Sequence, residues 1–507
     1  MAYFPTYVKD PLVNQNHFLG KPADDSPLLD FSAARGLLPV PFWEGHPDEI
    51  ACYWKTWEIA FRNILKPTAD NGFVSNYIDT AFNGCLFMWD SAFILMFGKY
   101  GRRAFNFQAT VDNFYAKQHP DGFICREINE KDGLDRFHRF DPASTGPNVL
   151  PWSEWEYYLT TGNQARLEAV FAPLLAYYRW FRSYRTWRDG TYWSSGLGCG
   201  MDNMPRMDET KYDHGLSPAR MVWLDTCLQE VLSAQILRRI AAILGRETET
   251  GDLDEEIKFL SGYINARLWD PSRQFYFDLD EQDRWSAAYS VGAYWALLAE
   301  VVPGERLPGF LAHLNEPGQF KRPHRVPSLA ADHPGYHADG GYWRGGVWPP
   351  TNYMLLRGLS MYHQDDLAAE IAANHLEMVV EVYRRTGTVW ENYAPESPAP
   401  GTPAKPDFVG WGGLPPVAVL LEYVFGLRPY AEQSRLVWDV RQLEAHGVTS
   451  YPFAQEGVLN LRCAARSAAG QPPHIQASSN VELTLELRWE NGRREIHLAA
   501  GGSFQEG

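Results

Sequence analysis

The sequence is poor in cysteine, and its cysteines do not form pairs. Six occur in 507 residues, and none stands in a Cys-x-x-Cys spacing. They are Cys52, Cys85, Cys125, Cys199, Cys227 and Cys463. Isolated cysteines argue against a disulfide framework and against a zinc knuckle, and the sequence also lacks an HExxH motif. We therefore predict free thiols, no metal site and no cofactor.

Basic residues and long apolar runs are also in short supply. The chain has 46 Lys and Arg against 62 Asp and Glu, which gives a net charge of -16. Nucleic-acid binding depends on a basic face, so nucleic acid is excluded as a partner. No apolar stretch approaches a membrane span, and residues 1–10 lack the basic start and apolar run of a signal peptide. We expect a cytoplasmic protein without a membrane partner.

Aromatic residues, by contrast, are abundant, at 14% of the chain with 19 Trp. From residue 50 to 428, apolar residues recur at three- and four-residue steps in about twelve segments, separated by Gly- and Pro-rich connections. Twelve helices suit six hairpins arranged as a toroid, whose loops form a deep pocket at one end. We predict an all-α catalytic domain over residues 50–428, with helices that include 285–301 and 413–425.

The last part of the chain has a different pattern. Residues 457–463 and 481–489 alternate apolar and polar side chains, which predicts strands, and 494–498 is the expected return strand of a hairpin. We predict a small antiparallel sheet or sandwich over residues 429–507 that braces the helical domain. Residues 1–49 are predicted to be an N-terminal extension packed on the barrel.

Three segments far apart in the chain combine charged side chains with aromatic or glycine residues. They are 200–206 (Gly-Met-Asp-Asn-Met-Pro-Arg), 342–350 (Tyr-Trp-Arg-Gly-Gly-Val-Trp-Pro-Pro) and 390–393 (Trp-Glu-Asn-Tyr). Aromatic faces cover the apolar sides of sugar rings, and two carboxyl groups can supply the acid and base of glycosidic cleavage. Asp202 and Glu391 are therefore the candidate catalytic pair. Each segment also has a structural explanation, such as a turn at Asp202 or a stacked Arg344.

Further side chains are candidates for holding a sugar. Trp89 and Asp90 open a predicted helix, where Asp90 either caps backbone amides or accepts hydrogen bonds from sugar hydroxyls. The full predicted substrate-binding set is Trp89, Asp90, Gln118, Arg126, Trp152, Asn203, Trp343, Arg344, Trp348, Tyr393 and Trp411.

Taken in order, these motifs resemble the bacterial branch of glycoside hydrolase family 63 and its trehalase-like clan, in outline the mannosylglycerate and glucosylglycerate hydrolases. The resemblance covers about residues 50–427. It is carried by residues 87–91 (Phe-Met-Trp-Asp-Ser), 118–127, 200–206, 342–353 and 391–393.

The resemblance implies an (α/α)6 barrel and hydrolysis of an α-glycosidic bond with inversion. It makes Asp202 the general acid and Glu391 the general base, and it places Trp89, Asp90 and Arg344 at the sugar. Departures from the family pattern occur at Cys199, Met204 and Gly346. They leave the leaving group open, so the expected substrate is a small α-glucoside or α-mannoside, either an oligosaccharide or a glycosylglycerate-like compound.

Two other functions are compatible with the sequence. A sugar epimerase on a similar barrel needs bases, commonly histidines, on both faces of the sugar, and the histidines here form no evident paired motif. A noncatalytic carbohydrate-binding protein would keep the pocket without needing both Asp202 and Glu391. In every case the expected partner is a small carbohydrate, and assembly into a homo-oligomer stays open.

Overall fold

The computed structural model describes residues 8–80 and 84–505. Within these residues, eight α-helices of eleven or more residues precede the C-terminal strands. They are Pro47–Arg62, Met88–Gly98, Leu150–Thr161, Gln164–Tyr184, Leu224–Leu244, Gly251–Tyr263, Pro349–Met361 and Asp365–Thr386. A π-helical segment, Leu414–Val424, closes the helical part. None of the described helices is both long and apolar enough to cross a bilayer.

Local signals explain where the long helices begin and end. The Asn163 side chain accepts a hydrogen bond of 3.1 Å from the Arg166 N–H at the start of Gln164–Tyr184. Leu150–Thr161 ends at Gly162, whose φ of 64° lies in the left-handed region that a C-terminal cap requires. Met88–Gly98 is apolar except for Asp90 and Ser91 in its first turn and is buried along its whole length, which places it inside the helical domain.

The predicted helix 285–301 is wrong over most of its length. Only Trp295–Leu298 is α-helical, preceded by the 3-10 turn Val291–Tyr294. Residues before it instead pack against the Asp202 loop, where the Ser286 hydroxyl donates a 3.1 Å hydrogen bond to the Arg206 carbonyl. Tertiary contacts therefore override the helical periodicity here. The predicted helix 413–425 corresponds to the π-helical segment.

A buried ionic network lies in the helical core. Lys99 is 4% exposed, and its ammonium group lies 3.3 Å from Glu156 and 3.0 Å from Glu422. Arg357 pairs with Glu156 at 2.6 Å. These charges are tolerable inside the core because each has an opposite partner.

The helical domain is followed by two sheets, which confirms the prediction of a helical domain and a β domain. The first sheet has five strands in the order Val40–Trp43, His446–Phe453, Gly457–Cys463, Ile475–Ser479 and Ser503–Gln505. The second has four, in the order Gly492–Leu498, Leu483–Trp489, Arg435–Asp439 and Leu427–Tyr430. The predicted hairpin is present, with Leu483 opposite Leu498.

Two features of the sheets differ from the prediction. The β domain is not wholly antiparallel, because Leu483–Trp489 runs parallel to Arg435–Asp439. Between these two strands the chain forms three strands of the first sheet. This long connection allows it to return in the same direction, as a parallel pair requires. In addition, Val40–Trp43 pairs with His446–Phe453, so residues before 50 contribute an edge strand to a sheet predicted from C-terminal residues alone. Residues 1–7 and 506–507 of the predicted terminal segments lie outside the described residues.

Candidate active site

The Asp202 loop is seated on the ring of Trp89. Ser195 caps the short helix Gly196–Cys199 by accepting a 3.1 Å hydrogen bond from the Gly198 N–H. Gly200 follows at φ +75°, and a Cβ there would stand 3.1 Å from the indole of Trp89. A side chain at this position would therefore be strained by both its backbone and its contact with the indole. The glycine lets the chain cross Trp89 closely and present Asp202, which is half-buried.

A second loop, which carries Tyr342 and Trp343, is tied to the first by Asn203. The Asn203 amide donates to the Gly341 carbonyl at 3.0 Å, and its oxygen accepts from the Trp343 N–H at 2.9 Å. Both ends of this amide are thus used by the protein. Asn203, predicted as a sugar-binding residue, joins the two loops instead.

Glu391 is 3% exposed and is held from several sides. The Tyr342 hydroxyl donates to one carboxylate oxygen at 3.0 Å, and the Lys405 N–H donates to the other at 3.2 Å. The Trp411 indole donates to the Glu391 carbonyl at 2.6 Å. These contacts fix the side chain and leave lone pairs on both carboxylate oxygens for a further donor.

Four carboxyl groups, those of Asp90, Glu127, Asp202 and Glu391, share this region, and burial raises the pKa of each. Burial raises the pKa of Asp202 to about 6, against the opposing charge of Arg126. Burial also raises the pKa of Glu391. The hydrogen bond from Tyr342 opposes this rise, and the charge of Asp202 adds to it. The pKa of Asp90 is raised well above its ordinary value by burial and then by the charge of Glu391. Asp202 and Asp90 each interact with Glu391, so the fold brings together the residues that the sequence places far apart.

Asp90 belongs to this cluster and is not the cap of its helix. The N-cap of Met88–Gly98 is Phe87, and no side chain makes a capping bond there. Asp90 lies in the first turn, 5% exposed, and a Cβ on Gly410 would be 3.1 Å from its carboxylate oxygen. Trp89 stands beside it, with its ring 4.7 Å from that of Phe93. The structure thus leaves the sugar-binding interpretation of Asp90 in place.

Arg126 lies at the edge of the cluster. Its side chain donates to the Ala143 carbonyl at 2.7 Å and pairs with Glu127 at 2.6 Å. Its charge lowers the pKa of both Asp202 and Asp90. Arg126 is therefore close enough to tune the two acids electrostatically.

Stacked tryptophans support the site from one side. The rings of Trp343 and Trp348 are parallel within 2°, with centroids 3.9 Å apart. The ring centroids of Trp348 and Trp411 are 5.8 Å apart, and the Trp348 indole donates to the Tyr342 carbonyl at 3.1 Å. Trp343 and Trp348 are buried in this stack, so they fix the Tyr342 loop and hold Glu391 through Trp411.

Three predicted sugar-binding residues are instead committed to the protein interior. The Gln118 amide donates to the carbonyls of Gly122 and Pro173 at 3.0 and 2.8 Å and accepts from Asn16 at 2.9 Å. The Trp152 indole donates to Glu156 of the buried ionic network at 3.3 Å.

The third of these residues is Tyr393, which is fully buried in a small cluster with three valines. Its hydroxyl accepts from the Trp390 N–H at 3.1 Å. The structure therefore does not bring Gln118, Trp152 or Tyr393 to the carboxyl cluster, because their polar groups are used in packing.

Arg344 faces a neighbouring cavity. Its guanidinium group pairs with Glu209, and both line a cavity of about 630 Å³ whose walls include neither Asp202 nor Glu391. Arg344 was predicted to lie beside the sugar, and the structure pairs its guanidinium group with a carboxylate of this cavity instead. Cys199, in the Asp202 loop, is buried, and burial raises its pKa, so it is suited to packing and not to nucleophilic chemistry.

Tyr342 and the Lys405 N–H both bond to Glu391, and neither was among the predicted site residues. Tyr342 stands inside the quoted 342–350 motif and has a φ of +64°, uncommon for a residue with a side chain. Its aromatic neighbours drew attention to the segment, but no local pattern shows that its hydroxyl meets Glu391. The Lys405 contact is made by backbone, which residue type does not reveal.

Comparison with known proteins identifies the family of this chain. Residues 85–408 match the family model of the mannosylglycerate hydrolase MGH1-like glycoside hydrolase domain. An uncharacterized protein of Borreliella burgdorferi is 23% identical over 76% of this chain and 81% of its own length. A probable mannosyl-oligosaccharide glucosidase of Schizosaccharomyces pombe is 27% identical over 49% of this chain and 34% of its own length.

Solved structures share the fold. A family 63 mannosylglycerate hydrolase from Thermus thermophilus, in complex with glucose, aligns with a TM-score of 0.58 and 22% identity over 72% of this chain and 99% of that one. A family 78 rhamnosidase from a Bacillus species aligns with a TM-score of 0.62 and 15% identity over 91% of this chain and 43% of that one. The family model spans more than half of the sequence and contains Asp202 and Glu391. The chain therefore belongs to the MGH1-like glycoside hydrolase family, within glycoside hydrolase family 63.

Proposed function

We propose that this protein is an inverting hydrolase of α-glycosides, in which Asp202 is the general acid and Glu391 the general base. The observation that carries the proposal is the pair itself. Two carboxyl groups, far apart in sequence, interact in one enclosed site, and one of them has a pKa of about 6. A carboxylic acid with a raised pKa can keep its proton near neutral pH and deliver it to a leaving group.

Asp202 acts on the leaving group. Its proton moves to the glycosidic oxygen while the bond between that oxygen and the anomeric carbon breaks. The half-buried position of Asp202 suits this step, because burial keeps a large fraction of the group protonated up to about pH 6 while the remaining exposure admits a substrate. Arg126 opposes the rise in pKa and so keeps the acid strong enough to donate.

Glu391 acts on water. It takes one proton from a water molecule whose oxygen bonds to the anomeric carbon on the face opposite the leaving group. The Tyr342 and Lys405 donors favour its ionised form and fix its direction. The products are the β-anomer of the sugar and an alcohol. Asp202 is then ionised and Glu391 protonated, and proton exchange with solvent restores both. The inverting mechanism calls for carboxyl groups roughly 6.5 to 9.5 Å apart.

The released sugar is proposed to lie between Trp89, Asp90 and Arg126. The Trp89 ring offers an apolar face, and Asp90 offers carboxyl oxygens to hydroxyl groups. Trp89 lies against Gly200 of the Asp202 loop, and Asp90 interacts with Glu391, so both are beside the catalytic pair. We expect a small α-glucoside or α-mannoside there, and the names of the yeast glucosidase and the Thermus mannosylglycerate hydrolase agree with both sugars.

We further propose that the helical part forms an (α/α)6 toroid over residues 50–428, with an N-terminal extension at 1–49 and a β domain at 429–507. The alignment with the Thermus hydrolase over 72% of this chain supports the scaffold. The eight long helices and the shorter helical segments between them would form the inner and outer rings of this toroid.

The test follows α-glucosides and α-mannosides by NMR and records the first-formed anomer of the released sugar. We expect the β-anomer first, and Asp202→Asn and Glu391→Gln are expected to lose at least about a thousandfold in kcat with an unchanged fold by circular dichroism. Glu370→Gln, at an ion pair with Arg325, is the control. First release of the α-anomer would contradict inversion, and full activity in either carboxyl variant would contradict the assigned roles.

An epimerase and a noncatalytic binding protein are not favoured, because the family model and the named relatives are glycoside hydrolases. Free reducing sugars provide the discriminating measurement. We expect them to be unchanged by the enzyme, whereas an epimerase would convert them.

A further inference from the structure

A cavity of about 630 Å³ adjoins the Asp202 loop and has no role in the chemistry described above. Residues 205–209, which begin three residues after the proposed acid, line this cavity together with Arg344 and His333. The volume lies within the usual range for sites that bind organic ligands. It is several times the space that a three-carbon acid fills.

The position of this cavity fits the leaving group. In an inverting reaction the acid stands on the side of the departing oxygen, and the base and water stand on the opposite side. The lining of the cavity begins three residues after Asp202, and on this adjacency we assign it to the leaving-group side of the bond. This step rests on the proposed function, because it uses Asp202 as the acid.

The charges of the cavity disfavour an anionic leaving group. Its lining has five carboxylates and four basic side chains, without counting His333. Arg206 is 5% exposed and lies 2.8 Å from Asp225 and 3.4 Å from Asp278. Arg344 is paired with Glu209. A carboxylate entering here would have to compete with a resident carboxylate for each of these cations.

The remaining two cations are also paired. Lys211 lies 3.2 Å from Asp208, and Arg284 lies 2.8 Å from Asp280. Carboxylates in such pairs still accept hydrogen bonds from hydroxyl groups, which carry no charge to repel. The polar lining therefore suits a polyol or a sugar better than an organic acid.

An aromatic side chain adds a surface for a sugar ring. Trp285 lines the cavity and is 39% exposed, and its indole N–H is held by the Arg267 carbonyl at 2.8 Å. The anchored ring keeps one face in place without a cost in side-chain freedom, and sugar rings pack their apolar faces on such rings.

We infer that this cavity receives the leaving group of the substrate and selects an uncharged saccharide over an organic acid such as glycerate. The catalytic pair would then act on the end of a neutral di- or oligosaccharide. Recognition would come from stacking on Trp285 and from hydroxyl groups bonded to the paired carboxylates.

The experiment compares substrates that share the sugar and the α-linkage and differ only in the leaving group. Glucosylglycerol and glucosylglycerate differ by one carboxylate, and a series of α-linked glucose oligosaccharides extends the leaving group; the mannose compounds are tested in parallel. α-Glucosyl and α-mannosyl fluoride report on the chemistry alone, because fluoride needs no leaving-group site.

We expect kcat/KM for the glycerol compound to exceed that for the glycerate compound by about tenfold, and the oligosaccharides to be better than both. Hydrolysis of a fluoride together with equal or better cleavage of the glycerate compound would overturn the inference and leave the proposed function standing. Failure to hydrolyse either fluoride would overturn the proposed function, and this inference with it.

Two variants test the residues. Glu209→Gln removes the carboxylate that pairs with Arg344 and is expected to shift the glycerate-to-glycerol ratio by about tenfold toward glycerate; Glu58→Gln, at the Lys55 pair outside the cavity, is the control. Trp285→Ala is expected to lose about tenfold more kcat/KM on an oligosaccharide than on the fluoride.

The control for Trp285→Ala is Phe259→Ala, which removes an aromatic ring that is 42% exposed and lies outside the cavity lining. It is expected to leave both activities unchanged. An unaltered ratio in Glu209→Gln, or equal losses on both substrates in Trp285→Ala, would overturn the assignment of the cavity.

Discussion

The Tyr342 hydroxyl is expected to set the acid limb of the pH dependence through its hydrogen bond to Glu391. The bond is 3.0 Å long and lowers the pKa of that carboxyl. Tyr342→Phe removes only the hydroxyl oxygen. Without the donor the ionised form of Glu391 is less favoured, so its pKa rises. Because the proposed base works in its ionised form, the acid limb should move to higher pH.

The size of the shift follows from the strength of the bond. A hydrogen bond to a charged group contributes about 1.5 to 3 kcal/mol. Since one pKa unit corresponds to about 1.36 kcal/mol, the limb should move by about one to two units. The alkaline limb is expected to follow the proposed acid, Asp202, whose pKa is about 6, so the two limbs should approach each other and the maximum rate should fall.

The assay measures kcat from pH 4 to 8 for the wild type and Tyr342→Phe on an α-glucoside or α-mannoside whose alcohol leaving group needs protonation by the acid. Tyr177→Phe is the matched control, because Tyr177 is buried and its hydroxyl has no hydrogen-bond partner among the described residues. An acid limb that stays in place or moves to lower pH would refute the role assigned to Tyr342. A uniform loss of rate without movement of either limb would indicate a disturbed loop instead.

Three further changes test the core and the Asp202 loop. Lys99→Met should lower the free energy of unfolding in urea by about 3 to 5 kcal/mol, because it leaves Glu422 buried without its cation; a loss below 1 kcal/mol would contradict a paired interior charge. Gly200→Ala should lose at least about tenfold in kcat while the protein still folds, because a Cβ at φ +75° meets Trp89 and displaces Asp202; wild-type kcat would show that the loop tolerates the contact. Burial lowers the pKa of His375 to about 3. Between about pH 3 and 6.5 this histidine is therefore protonated in the unfolded protein and neutral in the folded protein. As the pH falls from 6.5 to 3, this residue should therefore lower the free energy of unfolding by up to about 1.4 kcal/mol per pH unit. Urea titrations of His375→Gln should show a shallower decline, and an equal decline in both proteins would contradict the burial effect.

Several parts of the fold could be predicted because their signals are local. The helix Gln164–Tyr184 has such signals, since Asn163 caps it and apolar residues recur along one face. The hairpin of Leu483–Trp489 and Gly492–Leu498 follows from alternation and an Asn-Gly turn. The prediction was wrong at 285–301, where contacts with the Asp202 loop override a helical pattern, and it did not foresee Val40–Trp43 in the C-terminal sheet.

The candidate site shows the same division. Asp202, Glu391, Asp90 and Trp89 stand in segments whose glycine or aromatic neighbours mark them, and the structure brings them together. Gln118, Trp152 and Tyr393 carry residue types suited to sugar binding, yet their polar groups are taken by other parts of the protein. Residue type shows what a side chain can do, and only its neighbours show whether it is free to do it.

The sequence by itself determined the family, the helical and β parts, and the two carboxyl residues proposed for catalysis, because motifs and periodicity are properties of short segments. The tertiary structure decided which groups tune those carboxyls, since Tyr342, Arg126 and the Lys405 N–H reach them across long chain separations. It also decided that Arg344 faces the neighbouring cavity in a pair with Glu209. Burial and charge pairing arise only when distant segments meet, and for that reason no local pattern in the chain encodes them.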